Sequence, residues 1–282
     1  MSGRAMMNGR KLIAGMFLIG LFSGIASASL WDEPGSALQP GYHFGGKYLL
    51  NFVPDYKDIV VSPFHWKARD AFLFGGTVAL TGLLYAYDGD IGRWVLDHRP
   101  LTSNGTTRFL SHLAEPPAVL GLITTMYATG EVFGKPGLRR TALLSLEAYV
   151  LHSGTSSFIK FIIGRLRYEV GEGPHSFQPF SIVFSKTSFP SGHSGSIFSV
   201  AAVIAGEADS WPVGALAYGV AGLAAISRLH DMDHWASDIL AGSVLGFFIG
   251  KMVRHLNPPR GADSPSVAVG LGPAGFTLSL RF

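Results

Sequence analysis

Three short clusters of polar residues, each at the edge of an apolar run, contain the side chains that can do chemistry. In the first cluster Lys160 and Arg167 are seven residues apart. That spacing is about two helical turns, so both cations share one face if the helix continues through them. Such a pair can bind an anion, and the dipole favours cations near a helix C-terminus. Basic side chains that reach toward a membrane surface produce the same pattern.

The second cluster runs from Phe189 to Ser194 and contains Ser191, Gly192 and His193. It stands where an apolar helix is predicted to begin, and a loop entering a helix N-terminus presents free backbone N–H groups to an anion. Glycine at such a place lets the backbone approach a phosphate closely. A simple helix cap by Ser191, with His193 uninvolved, explains the motif equally well.

The third cluster contains Ser227 and Arg228, followed by His234 and Asp238. His234 and Asp238 are four residues apart, so we predict that they share a helix face. An aspartate beside one imidazole nitrogen fixes the tautomer and leaves the other nitrogen free to attack. Arg228 offers a forked donor suited to phosphate oxygens. A histidine and an aspartate at this spacing are, taken alone, more often an ordinary surface pair.

Together the clusters place three cations, two histidines and one carboxylate beside apolar helices. Ionisable groups at membrane depth are costly and by default mark function. Phosphoryl transfer needs an in-line nucleophile, an acid for the leaving group and neutralisation of the equatorial oxygens. Three cations and helix N–H groups can supply that neutralisation in place of a metal. We therefore expect no metal ion and no cofactor.

These motifs resemble the signature of the type-2 phosphatidic acid phosphatase superfamily, which includes lipid phosphatases, bacterial acid phosphatases and vanadium haloperoxidases. That signature reads Lys-x6-Arg-Pro, then Pro-Ser-Gly-His, then Ser-Arg-x5-His-x3-Asp. The second and third blocks match fully, whereas Tyr168 follows Arg167 where proline is usual. We expect this departure to change a turn rather than to abolish activity. The resemblance covers roughly residues 65–255, with specific motifs in 160–238.

The resemblance implies a role for each motif residue in a metal-independent phosphatase that forms a phosphohistidine. His234 attacks phosphorus and Asp238 orients it, while His193 protonates the leaving group and later helps to activate water. The residues expected to bind phosphate oxygens are Lys160, Arg167, Ser191, Gly192 and Arg228. Arg165, inside the first block, either lines the pocket or lies at a membrane edge.

Composition indicates membrane contact, because 48% of the residues are hydrophobic, 15% are charged and mean hydropathy is +0.30. These apolar surroundings favour a phosphorylated lipid as substrate, such as phosphatidic acid, phosphatidylglycerol phosphate or a polyprenyl diphosphate. The net charge of +3 without a basic tract gives no support for nucleic-acid binding. Cysteine is absent, which excludes disulfides and thiolate chemistry.

Three other functions remain open: a soluble periplasmic acid phosphatase of broad specificity, a vanadate-dependent haloperoxidase and a non-catalytic membrane protein. Release without detergent indicates the first of these, and peroxide-dependent halide oxidation indicates the second. Failure to trap phosphate on His234 indicates the third.

Six apolar segments of helical length predict an all-α, six-helix bundle that is embedded in a membrane. A spanning helix needs about 20 apolar residues, which the third and sixth segments reach and the second, fourth and fifth approach. An apolar bundle resting on the membrane from the periplasm also fits. The segments are Asp70–Tyr87, Pro117–Gly130, Thr141–Ile163, Gly192–Gly206, Val213–Ser227 and His234–Val253.

The chain divides into four predicted parts. Residues 1–28 have a basic start, an apolar run and a small-residue cleavage site, which is typical of a signal peptide, although an uncleaved anchor fits too. Residues 29–68 form an irregular periplasmic lead and 69–257 the helical phosphatase core. Residues 258–282 form a tail in which alternating apolar residues on either side of a turn predict a β-hairpin.

Some polar residues receive a structural interpretation. Asp88, Asp90 and Asp97 are assigned with Arg93 to a solvated loop or an interfacial helix. Glu147 and His152 are expected to bond within the bundle. The variable stretch of the third block holds His230, Asp231 and Asp233, which look like metal ligands but have no role in the family signature.

Localisation is predicted to be the inner membrane of a bacterial envelope, with the site facing the periplasm. Lys135, Arg139 and Arg140 precede the third segment, while Lys251 and Arg254 lie at the end of the sixth, which places both groups in the cytoplasm. A cleaved signal followed by six spans gives the opposite orientation. The number of spans and the oligomeric state therefore stay open.

Overall fold

The computed structural model describes residues 43–98, 105–170, 172–208, 210–258, 266–272 and 275–281. The predicted signal peptide lies outside these residues. Part of the lead predicted as irregular is helical, in α1, α2 and a 3-10 turn over Ser62–His65. The helices are α1 (Gly46–Leu50), α2 (Phe52–Val61), α3 (Ala68–His98), α4 (Gly105–Leu113), α5 (Pro116–Val132), α6 (Pro136–Ile163), α7 (Gly192–Glu207), α8 (Trp211–His230) and α9 (Ala236–Leu256).

The all-α bundle predicted from the sequence is confirmed, with each of the six apolar segments forming most of one long helix. Sequence signals explain several helix boundaries. Prolines occupy the first turns of α5, α6 and α8, where a missing N–H costs nothing. Ser191 caps α7 by accepting a hydrogen bond from the Ser194 backbone N–H.

Helix α6 is the interior helix of the bundle, and α7 packs against α6, α8 and α9. One apolar core joins Leu144 and Ala148 of α6 to Val203 of α7 and Ile249 of α9. Ile59 of α2 contributes to the same core, so α2 packs beside the half of the bundle that contains the start of α6 and the end of α9.

The contact between α7 and α9 is backbone against backbone. A Cβ added at Gly246 of α9 would lie 2.0 Å from the Gly195 carbonyl oxygen of α7. One turn to either side, a Cβ added at Gly242 or Gly250 would lie almost as close to the carbonyl oxygen of Ser191 or Ser199. Small residues at intervals of four allow helices in membranes to approach in this way. Helix α7, which carries the second motif block, is thereby held against α9.

Three of the described helices are long and apolar enough to cross a membrane: α3, α8 and α9. This confirms the prediction of membrane-spanning helices, although not every predicted span is among them. The third segment lies in α6, which has the required length but buries Arg139, Arg140, Glu147, His152 and Lys160 inside the bundle. Its polar residues face protein rather than lipid.

The tail contains two antiparallel strands, β1 (Ser266–Gly272) and β2 (Gly275–Arg281). Ser266 pairs with Arg281 and Gly272 with Gly275. The two residues between the strands lie outside the described part of the chain.

Candidate active site

The first motif block begins at the C-terminal end of α6 and continues beyond it. Gly164 ends the helix in a left-handed conformation with φ of 61°. A Cβ there would lie 1.8 Å from the Gln178 carbonyl oxygen, so this close approach requires glycine. The prediction that Lys160 and Arg167 share a helix face assumed a continuous helix between them. The helix ends before Arg167, so they do not share a face.

The two cations are nevertheless brought together by a shared carbonyl. Lys160 Nζ donates to the carbonyl oxygens of Thr187 and Ser188, each at 3.0 Å. Arg167 Nε donates to the same Thr187 oxygen at 3.2 Å. Both side chains are thus held at the segment that leads into the second block.

The second block is fixed between α7 and α9. The Ser191 N–H donates to the carbonyl oxygen of Asp238 at 2.9 Å, which joins the second block to the third. Gly192 is the first residue of α7 and His193 the second. The ring of His193 meets that of His234 edge to face, with centroids 5.8 Å apart.

The third block differs from its prediction in one respect. His234 precedes α9, which begins at Ala236, so His234 and Asp238 do not share a helix face. They are still adjacent, because the chain turns back over the start of the helix. His234 Nδ1 lies 3.8 Å from Asp238 Oδ2, beyond hydrogen-bond length. That carboxylate oxygen accepts from the backbone N–H of Trp235 at 3.0 Å and so caps α9.

His234 is a buried imidazole surrounded by cations. It is 1% exposed, and neither ring nitrogen makes a hydrogen bond of ordinary geometry among the described residues, although the Ser188 backbone lies close enough to oppose the lowering of its pKa. Burial, followed by the charges of Lys160, Arg167 and Arg228, holds the pKa of His234 well below its ordinary value. The ring is therefore neutral and has a lone pair available at neutral pH.

Arg228 lies in the last turn of α8 and forms an ion pair with Asp233. Asp231 instead accepts a hydrogen bond from Ser111 of α4. The two acidic residues of the variable stretch therefore pair with Arg228 and hydrogen-bond to α4. Among the described residues, no three His, Asp or Glu side chains are placed to hold a metal ion together.

Arg165 occupies the centre of the network behind the site. It is 1% exposed, and Nη1 donates to Asp238 Oδ1 at 2.7 Å while Nη2 donates to Asp88 Oδ2 at 2.8 Å. Nε donates to the carbonyl oxygen of Pro174 at 2.9 Å. Of the two interpretations offered for Arg165, the membrane edge is wrong, because its guanidinium is buried inside the bundle against the Asp238 carboxylate.

Asp88 is the residue of this network that sequence reasoning missed. Of the two interpretations offered for Asp88, the solvated loop is wrong, because α3 continues to His98. The segment is helical, as the other interpretation has it, but Asp88 is buried with 1% exposure. Its carboxylate also accepts from the Ser237 N–H at 3.1 Å. The available signal was its position directly after the uncharged run Ala71–Tyr87, whereas Asp90 pairs with Arg93 on the exposed surface.

Tyr168, in the position where proline is usual, begins a 3-10 turn over Tyr168–Val170. Its ring packs against that of Trp235 with centroids 5.3 Å apart. Trp235 Nε1 in turn donates to the Leu166 carbonyl oxygen at 3.1 Å. The aromatic contact joins the first block to the third at the altered position.

Comparison with known proteins places this arrangement in a family. The model of the PAP2 superfamily matches residues 141–262, the part of the chain that contains all three motif blocks. The resemblance inferred from the motifs is confirmed over these residues, which match the model of that superfamily.

Individual relatives are more distant. Over 68 residues the chain is 35% identical to a lipid A 1-phosphatase of Porphyromonas gingivalis, which is 23% of this chain and 15% of that protein. A phosphatidylglycerolphosphate phosphatase of Bacillus subtilis is 20% identical with a TM-score of 0.46, covering 74% of this chain and 94% of that one. LpxE of Aquifex aeolicus is 14% identical with a TM-score of 0.43, covering 58% and 92% respectively.

Proposed function

We propose that this chain is a metal-independent phosphatase that hydrolyses a phosphomonoester or pyrophosphate of a membrane lipid through a phosphohistidine at His234. One observation carries the proposal. His234 is a buried, neutral imidazole whose nitrogens make no hydrogen bond of ordinary geometry in the described part of the chain, and three cations surround it. A tetrahedral phosphate dianion compensates those cations and places its phosphorus beside the imidazole.

The first step transfers the phosphoryl group to the enzyme. Asp238 lies nearer to Nδ1, so Nε2 attacks phosphorus and the bond to the leaving oxygen breaks. His193, in contact with the His234 ring, donates a proton to that oxygen. Lys160, Arg167 and Arg228 compensate the charge on the equatorial oxygens, as do the N–H groups at the start of α7.

The second step returns the enzyme to its starting state. Water attacks the phosphohistidine, its proton passes to His193 and the phosphorus–nitrogen bond breaks. Inorganic phosphate leaves, and His193 again carries the proton needed for the next leaving group.

A membrane lipid is the proposed substrate class because three helices long and apolar enough to span a bilayer carry Asp88, Arg228 and Asp238. The lipid A 1-phosphatase relative supports a lipid phosphate as substrate, although the chain spans only 15% of that relative's length. Phosphatidic acid, phosphatidylglycerol phosphate, polyprenyl diphosphate and lipid A 1-phosphate are the candidates to compare. We further propose that the protein lies in the inner membrane with its site facing the periplasm.

The test is phosphate release from these lipids by the purified protein in detergent, with and without EDTA. We expect activity to persist in EDTA and to fall by at least about a thousandfold in His234→Ala, which removes the nucleophile. Acid quenching of the wild type with labelled substrate should trap acid-labile phosphate that His234→Ala does not trap. Full activity in His234→Ala contradicts the proposal, and so does loss of wild-type activity in EDTA.

A further inference from the structure

A surface-exposed apolar segment lies between the first and second motif blocks. Residues 176–185 contain no charged side chain, and five large apolar residues within them reach the surface, beginning with Phe177. We call the other four the apolar tip: Phe180, Ile182, Val183 and Phe184. Phe180 is 68% exposed and Ile182 is 79% exposed. A cluster of exposed large apolar side chains marks an interaction surface rather than ordinary solvent contact.

The protein holds the apolar tip in place from both ends. On the incoming side the Gln178 N–H donates to the Gly164 carbonyl oxygen at 2.7 Å, and the Phe180 ring packs on Phe161 of α6. On the outgoing side Thr187 Oγ1 donates to the Phe184 carbonyl oxygen at 3.1 Å. The exposure is therefore part of the folded structure.

The apolar tip belongs to the same loop as the anion-binding residues. Its outgoing end leads within four residues to Thr187 and Ser188, whose carbonyl oxygens position Lys160. On its incoming side Gln178 pairs with Gly164, directly after the helix that carries Lys160. Whatever contacts the tip is consequently held beside the segment that positions Lys160.

The apolar surface continues from the tip onto α3. Phe177 packs on Tyr85 of α3, with ring centroids 6.3 Å apart. Below Tyr85, α3 presents an outward face with Phe72 80% exposed and Val78 54% exposed. The 18-residue apolar window of this helix has no buried residue, as expected for a face against lipid.

The charges along α3 locate the edge of the bilayer. The run Ala71–Tyr87 has no charged residue, and exposed Asp90 and Arg93 follow it. From Ala71 to Tyr87 the helix rises about 24 Å, which is most of the roughly 30 Å hydrocarbon thickness of a bilayer. Tyr85 therefore lies near the membrane surface, and so does Phe177, three residues before the apolar tip. Lys186, exposed next to the tip, is placed to meet lipid phosphates.

We propose that the apolar tip inserts into the interface of the lipid bilayer on the side of the candidate site. It anchors the catalytic loop so that the phosphate of a membrane lipid meets Lys160 and Arg167 at the water boundary. The occupant of this surface is the bilayer itself, because the tip is continuous with the lipid-facing surface of α3. The effect on substrate choice rests on the proposed phosphatase function, whereas the membrane contact does not.

The absence of cysteine makes a direct test simple, because one introduced thiol is unique. Ile182→Cys carries an environment-sensitive fluorophore in the full chain, reconstituted in vesicles of phosphatidylcholine and phosphatidylglycerol. Glu172→Cys, exposed in the same loop but outside the tip, is the matched control. We expect blue-shifted emission and quenching by a lipid-attached nitroxide at 182, and quenching by aqueous iodide at 172.

Two results would overturn the membrane contact. One is a label at residue 182 that responds like the label at 172. The other is protection at 182 that disappears when protein is diluted at constant lipid, because that result indicates a second protein as occupant.

A substrate comparison then tests the functional consequence. Ile182→Asp should lower kcat/KM for a phosphorylated lipid in vesicles by about tenfold, because it removes one apolar side chain that inserts into the bilayer. Hydrolysis of a short-chain, water-soluble analogue with the same headgroup should not change. Equal loss on both substrates contradicts the inference. If the wild type hydrolyses neither substrate, the proposed function fails while the labelling result stands.

Discussion

At the scale of single residues, Arg165 connects the site to the rest of the bundle. Its guanidinium donates to Asp88 of α3 and to Asp238 of α9, and the backbone of Pro174 accepts a third hydrogen bond. A buried charge is tolerated only when it is paired and its donors are satisfied. Two carboxylates from distant parts of the sequence meet this requirement for one arginine.

Asp88→Asn tests this network, and Asp90→Asn is its matched control two residues along the same helix. Asp88→Asn weakens a buried ion pair and should destabilise the protein by about 2 kcal/mol, with a fall in kcat. Asp90→Asn changes an exposed pair and should cost about 0.5 kcal/mol or less. Thermal unfolding in detergent and steady-state kinetics measure both. Equal effects of the two substitutions would refute the assigned burial.

His234 gives the protein a pH dependence of known sign. Its pKa is depressed in the folded state, so the unfolded chain takes up a proton that the folded chain refuses. The stability that depends on neutral His234 is complete above about pH 6.5 and is lost as the pH falls below that value.

His234→Gln removes this ionisable group. Between pH 6 and pH 5 it should reduce the dependence of unfolding free energy on pH by about 1.4 kcal/mol per pH unit, the equivalent of one proton. Denaturation at a series of pH values, in the absence of phosphate, measures the two slopes. Identical slopes for wild type and variant would contradict the depressed pKa.

At the scale of elements, the approach of α7 to α9 sets the relative position of two motif blocks. Gly246 faces the Gly195 carbonyl oxygen, and the Ser191 N–H, one turn earlier on α7, bonds to the Asp238 carbonyl oxygen, about two turns earlier on α9. His193 at the start of α7 and Asp238 at the start of α9 therefore depend on the same interhelical distance.

Gly246→Ala places a methyl group where 2.0 Å is available and must separate the helices. We expect destabilisation of about 2 kcal/mol and a lower kcat, because overpacking displaces the backbone. Gly219→Ala on α8 is the control, since a Cβ there meets nothing within 4 Å. The control should be neutral or stabilising by about 1 kcal/mol, following helix propensity. Thermal unfolding and activity assays distinguish these outcomes, and a tolerant Gly246 would show that the helices pack less closely.

The elements also show what sequence could and could not predict. Each apolar segment became a helix, because hydrophobic runs of that length have few alternatives. Residue spacing gave wrong helix faces at the two places where a helix ends or begins inside a motif. Helix α6 ends at Gly164, before Arg167, and α9 begins only after Trp235, so His234 is not part of it. The Asp88 to Arg165 contact joins residues 77 positions apart, and no local pattern encodes such a pair.

At the scale of the whole molecule, the two ends of the bundle have different characters. The motif blocks meet at one end, where α6 and α8 finish and α9 begins. At the other end Asn257 bonds to Asp55 at 2.6 Å, and Arg140 and Arg254 both meet Glu207. Helix α2 packs at this second end, and α3 follows it in the chain. Helix α3 therefore runs from the second end of the bundle to the site, which it reaches at Asp88.

This arrangement predicts which residues share a side of the membrane. Single cysteines at Lys57 and His255 should react with a membrane-impermeant maleimide from one side, and a cysteine at Glu172 from the other. With the site facing the periplasm, as proposed, Glu172→Cys is labelled in intact cells and the other two only after permeabilisation. The reverse labelling pattern would show that the site faces the cytoplasm. Labelling of all three cysteines from one side would show that α3 does not cross the membrane.

Helix α3 also has a mechanical consequence. Its outward face touches no other part of the described bundle, yet through Asp88 and Arg165 it connects to the Asp238 carboxylate beside His234. A spanning helix adjusts its tilt to the thickness of the surrounding bilayer. Tilting of α3 displaces Asp88, and the shared guanidinium transmits that displacement to Asp238. We expect this connection to make the geometry at His234 respond to hydrophobic mismatch, so that acyl chain length acts on the site without any lipid entering it.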